Sequence, residues 1–150
     1  MNPVTVIGIG SPYGDDQLGW QVVERLQNLS TATNIATLIR DRPGTRLLED
    51  LGGCHHAVLV DAVCSDAPAG TLHCLDVKGL EAIPIMTSSH GLGLAETLCL
   101  GRILGILPAE ILLYGIAIEP GQREYFQAPL SPPVAAAAER LSRLLARRYG

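Results

Sequence analysis

Two neighbouring acids, Asp15 and Asp16, close the glycine-rich segment GIGSPYGDD at residues 8–16. Gly8, Gly10 and Gly14 would let backbone amides approach a ligand, and helical periodicity follows, so the segment first reads as a phosphate loop. Two carboxylates at a helix start occupy the anion position themselves and repel a second anion. The Lys-Ser/Thr of a P-loop and the spacing of a dinucleotide fingerprint are also missing. One aspartate suffices to cap the helix, so the other needs a further partner, and a cation is the natural one. A third acid, Asp61, closes the apolar run AVLVD, and His90 lies in the polar stretch SSHG. Singly, each has a plain structural reading: a cap, a strand-end carboxylate held by amides, a solvent-facing imidazole. Together, one acid of the Asp15–Asp16 pair, Asp61 and His90 offer two carboxylates and an imidazole, donors that suit nickel, zinc, manganese or iron better than calcium or magnesium. Three protein ligands would leave positions open for water or for a group on a partner.

Other candidates carry less. Ser88 and Ser89 beside His90 suggest a Ser–His hydrolase, but no GxSxG elbow is present. His55 and His56 read as loop. Tyr13 and Trp20 flank the acidic pair, either as packing or as the wall of a peptide groove.

The elements that must position these residues are legible from periodicity. Short, nearly continuous apolar runs predict strands over residues 4–7, 35–39, 57–60 and 111–116. Residues 72–77 alternate with His73 and Asp76 and predict an edge strand. Helical spacing predicts helices over about 16–29, with Asp15 or Asp16 as its cap, and over 93–104. A short helix is expected behind Thr45, and a C-terminal one from Ser131-Pro132 to about residue 148. Alternating strands and helices predict a three-layer α/β sandwich around a mostly parallel, about five-stranded sheet, a single domain over 1–150. In such sheets ligands bind outside the carboxyl ends of the strands, where Asp15, Asp16, Asp41, Asp61 and His90 all fall.

Composition narrows the function. Against 15 acidic residues stand 11 basic ones, a net charge of −4, and Lys78 is the single lysine. That balance argues against nucleic-acid and polybasic membrane binding. No run approaches the roughly 18 apolar residues of a membrane span. The segment MNPVTVIGIG lacks the basic region and cleavage site of a signal peptide, so a cytoplasmic protein is expected. Its four cysteines, none in a CxxC pair, are then expected to be reduced.

These residues also resemble a known family. VIGIGSPYGDDQLGW resembles the opening motif of the hydrogenase maturation proteases, and VLVDAVCSDAPAGTL their third strand and PGT turn. SSHGLGLAETLCLGRILGILPAEILLYGIAIEP resembles their histidine loop, helix and strand, and APLSPPV the start of their last helix. The resemblance implies an aspartic-type endopeptidase, expected as a monomer, that removes the C-terminal extension of a [NiFe]-hydrogenase large-subunit precursor. The cofactor it implies is nickel carried by that substrate, with cleavage following nickel insertion. The family's metal-binding and catalytic positions fall on Asp16, Asp61 and His90. Its DGGT-like substrate-recognition loop corresponds to DRPGT, with Asp41, Gly44 and Thr45 retained. Ser11 stands where the family has asparagine, Gln17 where it has glycine, and Arg42 and Pro43 alter the loop. From the residues alone, a receiver-like signalling domain also has acids after its first and third strands, but it needs a lysine ending its fifth. A nickel carrier without hydrolytic activity is the other alternative.

Overall fold

The structure, a computed structural model, describes residues 3–29, 34–77, 86–87 and 93–150. Its strands are β1 (Val4–Gly10), β2 (Ile35–Asp41), β3 (His56–Cys64), β4 (Leu72–Asp76), β5 (Met86–Thr87) and β6 (Glu110–Ala117). Its helices are α1 (Leu18–Asn28), α2 (Leu47–Leu51), α3 (Leu94–Leu104) and α4 (Pro132–Tyr149). The sheet order is β2-β1-β3-β6-β4, with β5 joined to β3. The pairs β1–β2, β1–β3 and β3–β6 are parallel. The edge strand β4 runs antiparallel to β6, and the two-residue β5 antiparallel to β3. The expected sandwich with its mostly parallel sheet is present. Five strands match the expectation, and β5 is a sixth too short to leave a periodicity.

Each face of the sheet buries its own core. Val58, Val60 and Ala62 of β3 pack with Val22 and Leu26 of α1 and Leu141 and Leu145 of α4. The alternate residues Ala57 and Leu59 pack with Leu47 and Leu51 of α2 and Leu98 of α3. Covered on both sides, the central strands can be apolar at every position, which is why they read as runs.

Some boundaries differ from the sequence expectation. β1 continues past residue 7 because Gly8 and Gly10 still pair with Ile39 and Asp41 of β2. β3 begins at His56, which is strand rather than loop, its ring against Glu110 of β6. A 3-10 turn, Gly14–Gln17, precedes α1, and neither it nor α1 has a side-chain cap. Thr45 caps nothing: it lies in the 3-10 turn Gly44–Arg46 that leads into α2. None of the four cysteines is in a disulfide, and no helix among the described residues is long and apolar enough to cross a membrane.

Candidate active site

The glycine segment brings a helix start down onto the end of β1. A Cβ on Gly10 would run into the Asp16 carbonyl, so only glycine lets the turn fold back this closely. The Ser11 amide then donates to that carbonyl at 3.2 Å. Its hydroxyl donates to Asp16 Oδ2 at 2.5 Å. Asp16 is 2% exposed and Ser11 equally so. Ser11, noticed in the sequence only as a departure from asparagine, thus orients the Asp16 carboxylate.

Asp15 does something the sequence did not reveal. Its two oxygens take the backbone amide of Ser131 at 2.7 Å and the Ser131 hydroxyl at 2.6 Å. The expected cap at α1 is therefore replaced by a tie to the start of α4, formed across 116 positions of sequence. Ser131 stands at the N-cap position of α4 but spends its hydroxyl on Asp15 rather than on its own helix.

Asp61 is fully buried and lies inside β3 rather than at its end. Pairing with β1 stops at Gly8–Val60, and β5 takes up the same side of β3 only at Val63. Asp61 sits between these two ladders, and its Oδ1 accepts the amide of Ala62 at 2.8 Å. By strand alternation it continues the row of Ala57 and Leu59. The 3-10 turn carrying Asp16 packs against β3, so both acids belong to the carboxyl edge of neighbouring strands. His90 lies outside the described residues, as do Ser88 and Ser89. Its nearest described neighbour upstream is Thr87, paired with Val63 two positions beyond Asp61. Among the described residues no three His, Cys, Asp or Glu side chains gather as a metal-binding group.

The DRPGT loop joins the same edge one strand over. Asp41 pairs with Gly10 in the β1–β2 ladder, and the Arg42 amide donates to the Gly10 carbonyl at 3.0 Å. Asp41 and Arg42 are both exposed and bridge at 2.6 Å. That hydrogen bond raises the guanidinium pKa above its ordinary value, with Tyr13 and Asp16 adding to the effect through charge. Gly44 takes φ of 55° at the turn, and Thr45 is exposed. Arg40 is engaged inward, forked onto Asp50 at 2.8 and 2.9 Å. Trp20 proves to be packing, its Nε1–H donating to the Arg40 carbonyl at 2.9 Å. Tyr13 remains on the rim at 37% exposure.

This arrangement has clear relatives. A family model described as HycI, hydrogenase maturation protease, matches residues 21–148. The hydrogenase 2 maturation protease of Escherichia coli (strain K12) is 30% identical over 120 residues, which span 77% of this chain and 73% of that protein. Among solved structures, the hydrogenase maturating endopeptidase HybD from E. coli superposes with a TM-score of 0.73 at 27% identity, over 97% of this chain and 93% of that one. The [NiFe] hydrogenase maturation protease HycI from Thermococcus kodakarensis KOD1 gives 0.74 at 28% identity, over 97% and 91%. Fold and likeness define a peptidase, a hydrolase built on an α/β sandwich. The chain belongs to the hydrogenase maturation protease family. With that, the receiver-like and carrier readings fall away.

Proposed function

We propose that this protein removes the C-terminal extension of a [NiFe]-hydrogenase large-subunit precursor once nickel is in place, and that Asp16, Asp61 and His90 read the nickel the precursor carries. The observation that supports this most is the pair of carboxylates, Asp16 and Asp61, drawn from different elements to one sheet edge and at most 2% exposed. Taking two carboxylates out of water is costly, and a divalent cation arriving with the substrate offsets that cost. The metallated precursor therefore gains more on docking than the metal-free one, which makes nickel a checkpoint. A carboxylate held by Ser11 is also suited to accept a proton from the water that attacks the scissile carbonyl. Asp41, Gly44 and Thr45, one strand away, are the substrate-recognition loop. The relatives' names, which refer to hydrogenase 2 and to a [NiFe] hydrogenase, support the substrate class. We place the enzyme in the cytoplasm, acting as a monomer.

The test is mass spectrometry of nickel-loaded and metal-free precursor, each incubated with the protein after free nickel is removed. Loss of the C-terminal extension from the loaded form alone is expected. Equal cleavage of the two would refute the checkpoint and point to ordinary sequence-directed proteolysis.

A further inference from the structure

Three of the six aromatic residues, Tyr13, Tyr125 and Phe126, come from the two segments that meet beside Asp16. They are 37%, 71% and 60% exposed. Phe126 is the chain's single phenylalanine, and a residue of that kind is normally spent on the core. The rings of Tyr13 and Phe126 meet edge to face, 5.7 Å apart at 85°. Backbone bonds fix them there. Gly14 donates to the Tyr125 carbonyl at 3.0 Å and Gln127 to the Pro12 carbonyl at 2.7 Å. The side chain of Gln17 adds to these, its Nε2 donating to the carbonyls of Gly14 at 2.9 Å and Ala128 at 2.6 Å. Gly14 adopts φ of 51°, and a Cβ there would strike the Gln122 carbonyl, so the two segments are pressed together. Tyr13 precedes Asp16 by three residues in one turn, which makes this shelf a rigid continuation of the acid site.

We propose that the shelf is the subsite for a large apolar side chain of the substrate polypeptide close to the bond that is cut. This rests on the endopeptidase reading above. Any polypeptide reaching Asp16 over this rim crosses Tyr13, and an edge-to-face aromatic pair holds an apolar or aromatic side chain well. The size of the shelf fits that occupant. Three partly exposed rings offer a few hundred Å² at most, well short of the roughly 800 Å² per partner of a standard protein interface. A second copy of the chain is therefore the poorer match.

The experiment measures binding and cleavage of nickel-loaded large-subunit precursor with the wild type, Tyr125→Ala, Phe126→Ala, the double variant and Phe126→Leu. The double variant is expected to bind about tenfold more weakly and to raise KM equally, as truncated aromatic anchors do. Its kcat should stay within about twofold, since neither ring meets the reacting atoms. Both side chains being largely exposed, its melting temperature should fall by no more than the loss of the Tyr13–Phe126 ring contact allows, a few degrees, and Phe126→Leu should recover most of the affinity. Unchanged binding and KM in the double variant, with the wild type cleaving normally, would overturn the shelf and leave the protease reading intact. Wild-type binding without cleavage would overturn the protease reading, while a tenfold binding loss in the double variant would then uphold the shelf as a precursor-binding surface only and overturn its place beside a cut bond. A wild-type dimer that Phe126→Ala dissolves, with precursor binding unaltered, would also overturn the proposal.

Discussion

At the scale of single residues, the Ser11 bond to Asp16 and the Ala62 bond to Asp61 shape what substitution does. Asp61 Oδ1 accepts the Ala62 amide, and an asparagine side-chain oxygen can accept the same bond. Asp16 receives the Ser11 hydroxyl, which an asparagine oxygen can also accept. Asp16→Asn and Asp61→Asn should therefore fold, although both positions are buried rather than exposed at strand ends. Each removes a negative charge and, on the function proposed above, a metal donor or a base, so cleavage of nickel-loaded precursor should fall by roughly 10²-fold or more. Precursor mass spectra, read beside circular dichroism of each variant, check both halves. Normal cleavage by either variant would remove that carboxylate from the site.

At the scale of elements, two connections matter. The Asp15–Ser131 tie joins the turn before α1 to the first turn of α4. Asp15 is 1% exposed, so breaking the tie strands a buried carboxylate. Ser131→Ala should cost about 1–3 kcal/mol of stability, visible as a lower melting temperature. Asp15→Asn should also destabilise, but the folded fraction should still cut precursor, because Asp15 holds a helix rather than a metal. The second connection is DRPGT. Arg42 sits at φ of 42°, a conformation costly for any residue with a Cβ. Exchanging DRPGT for DGGT shortens the loop by one residue, places glycine at the strained position and removes the Asp41–Arg42 bridge. Across a panel of precursors the exchange should change which one is cut, with nickel affinity unaltered. An unchanged preference would take this loop out of substrate recognition.

At the scale of the whole molecule, both faces of the sheet carry the stability, and the candidate site is gathered at its carboxyl edge. Tyr114 of β6 belongs to the α1/α4 core, opposite Cys74 of β4 and within 3.3 Å of an Arg148 nitrogen of α4. Burial, reinforced by hydrogen bonding to Cys74, pushes its phenol up to about 12. An unfolded tyrosine ionises near 10, so the unfolded chain releases this proton first. The neutral phenol's contribution is complete below about pH 10 and is lost as pH rises from 10 towards 12. Denaturant melts between pH 9 and 12 should show stability falling across that window, with a shallower fall in Tyr114→Phe.

Much of this was readable in order along the chain. Strand runs, helix spacing and the placement of acids after strands identified the sandwich and pointed to the Asp15–Asp16 pair and Asp61, because a parallel sheet buries its strands on both faces and gathers ligands at one edge; the choice of Asp16 within the pair came from the family resemblance. The DRPGT loop was likewise visible, since a turn after β2 must rise at that same edge. Three things came only with the tertiary structure. Asp61 lies within β3 and not at its end, because β6 and the two-residue β5 extend the ladder beyond it. Asp15 serves α4 and not α1, since a carboxylate turns to whichever donors the packed chain presents, here Ser131. The aromatic shelf joins residues 13 and 125–126, which no periodicity links. Local pattern reports which residues share a face of one element. Contacts between residues distant in sequence are decided only when both cores close, and the ties and rim around this site are all of that kind.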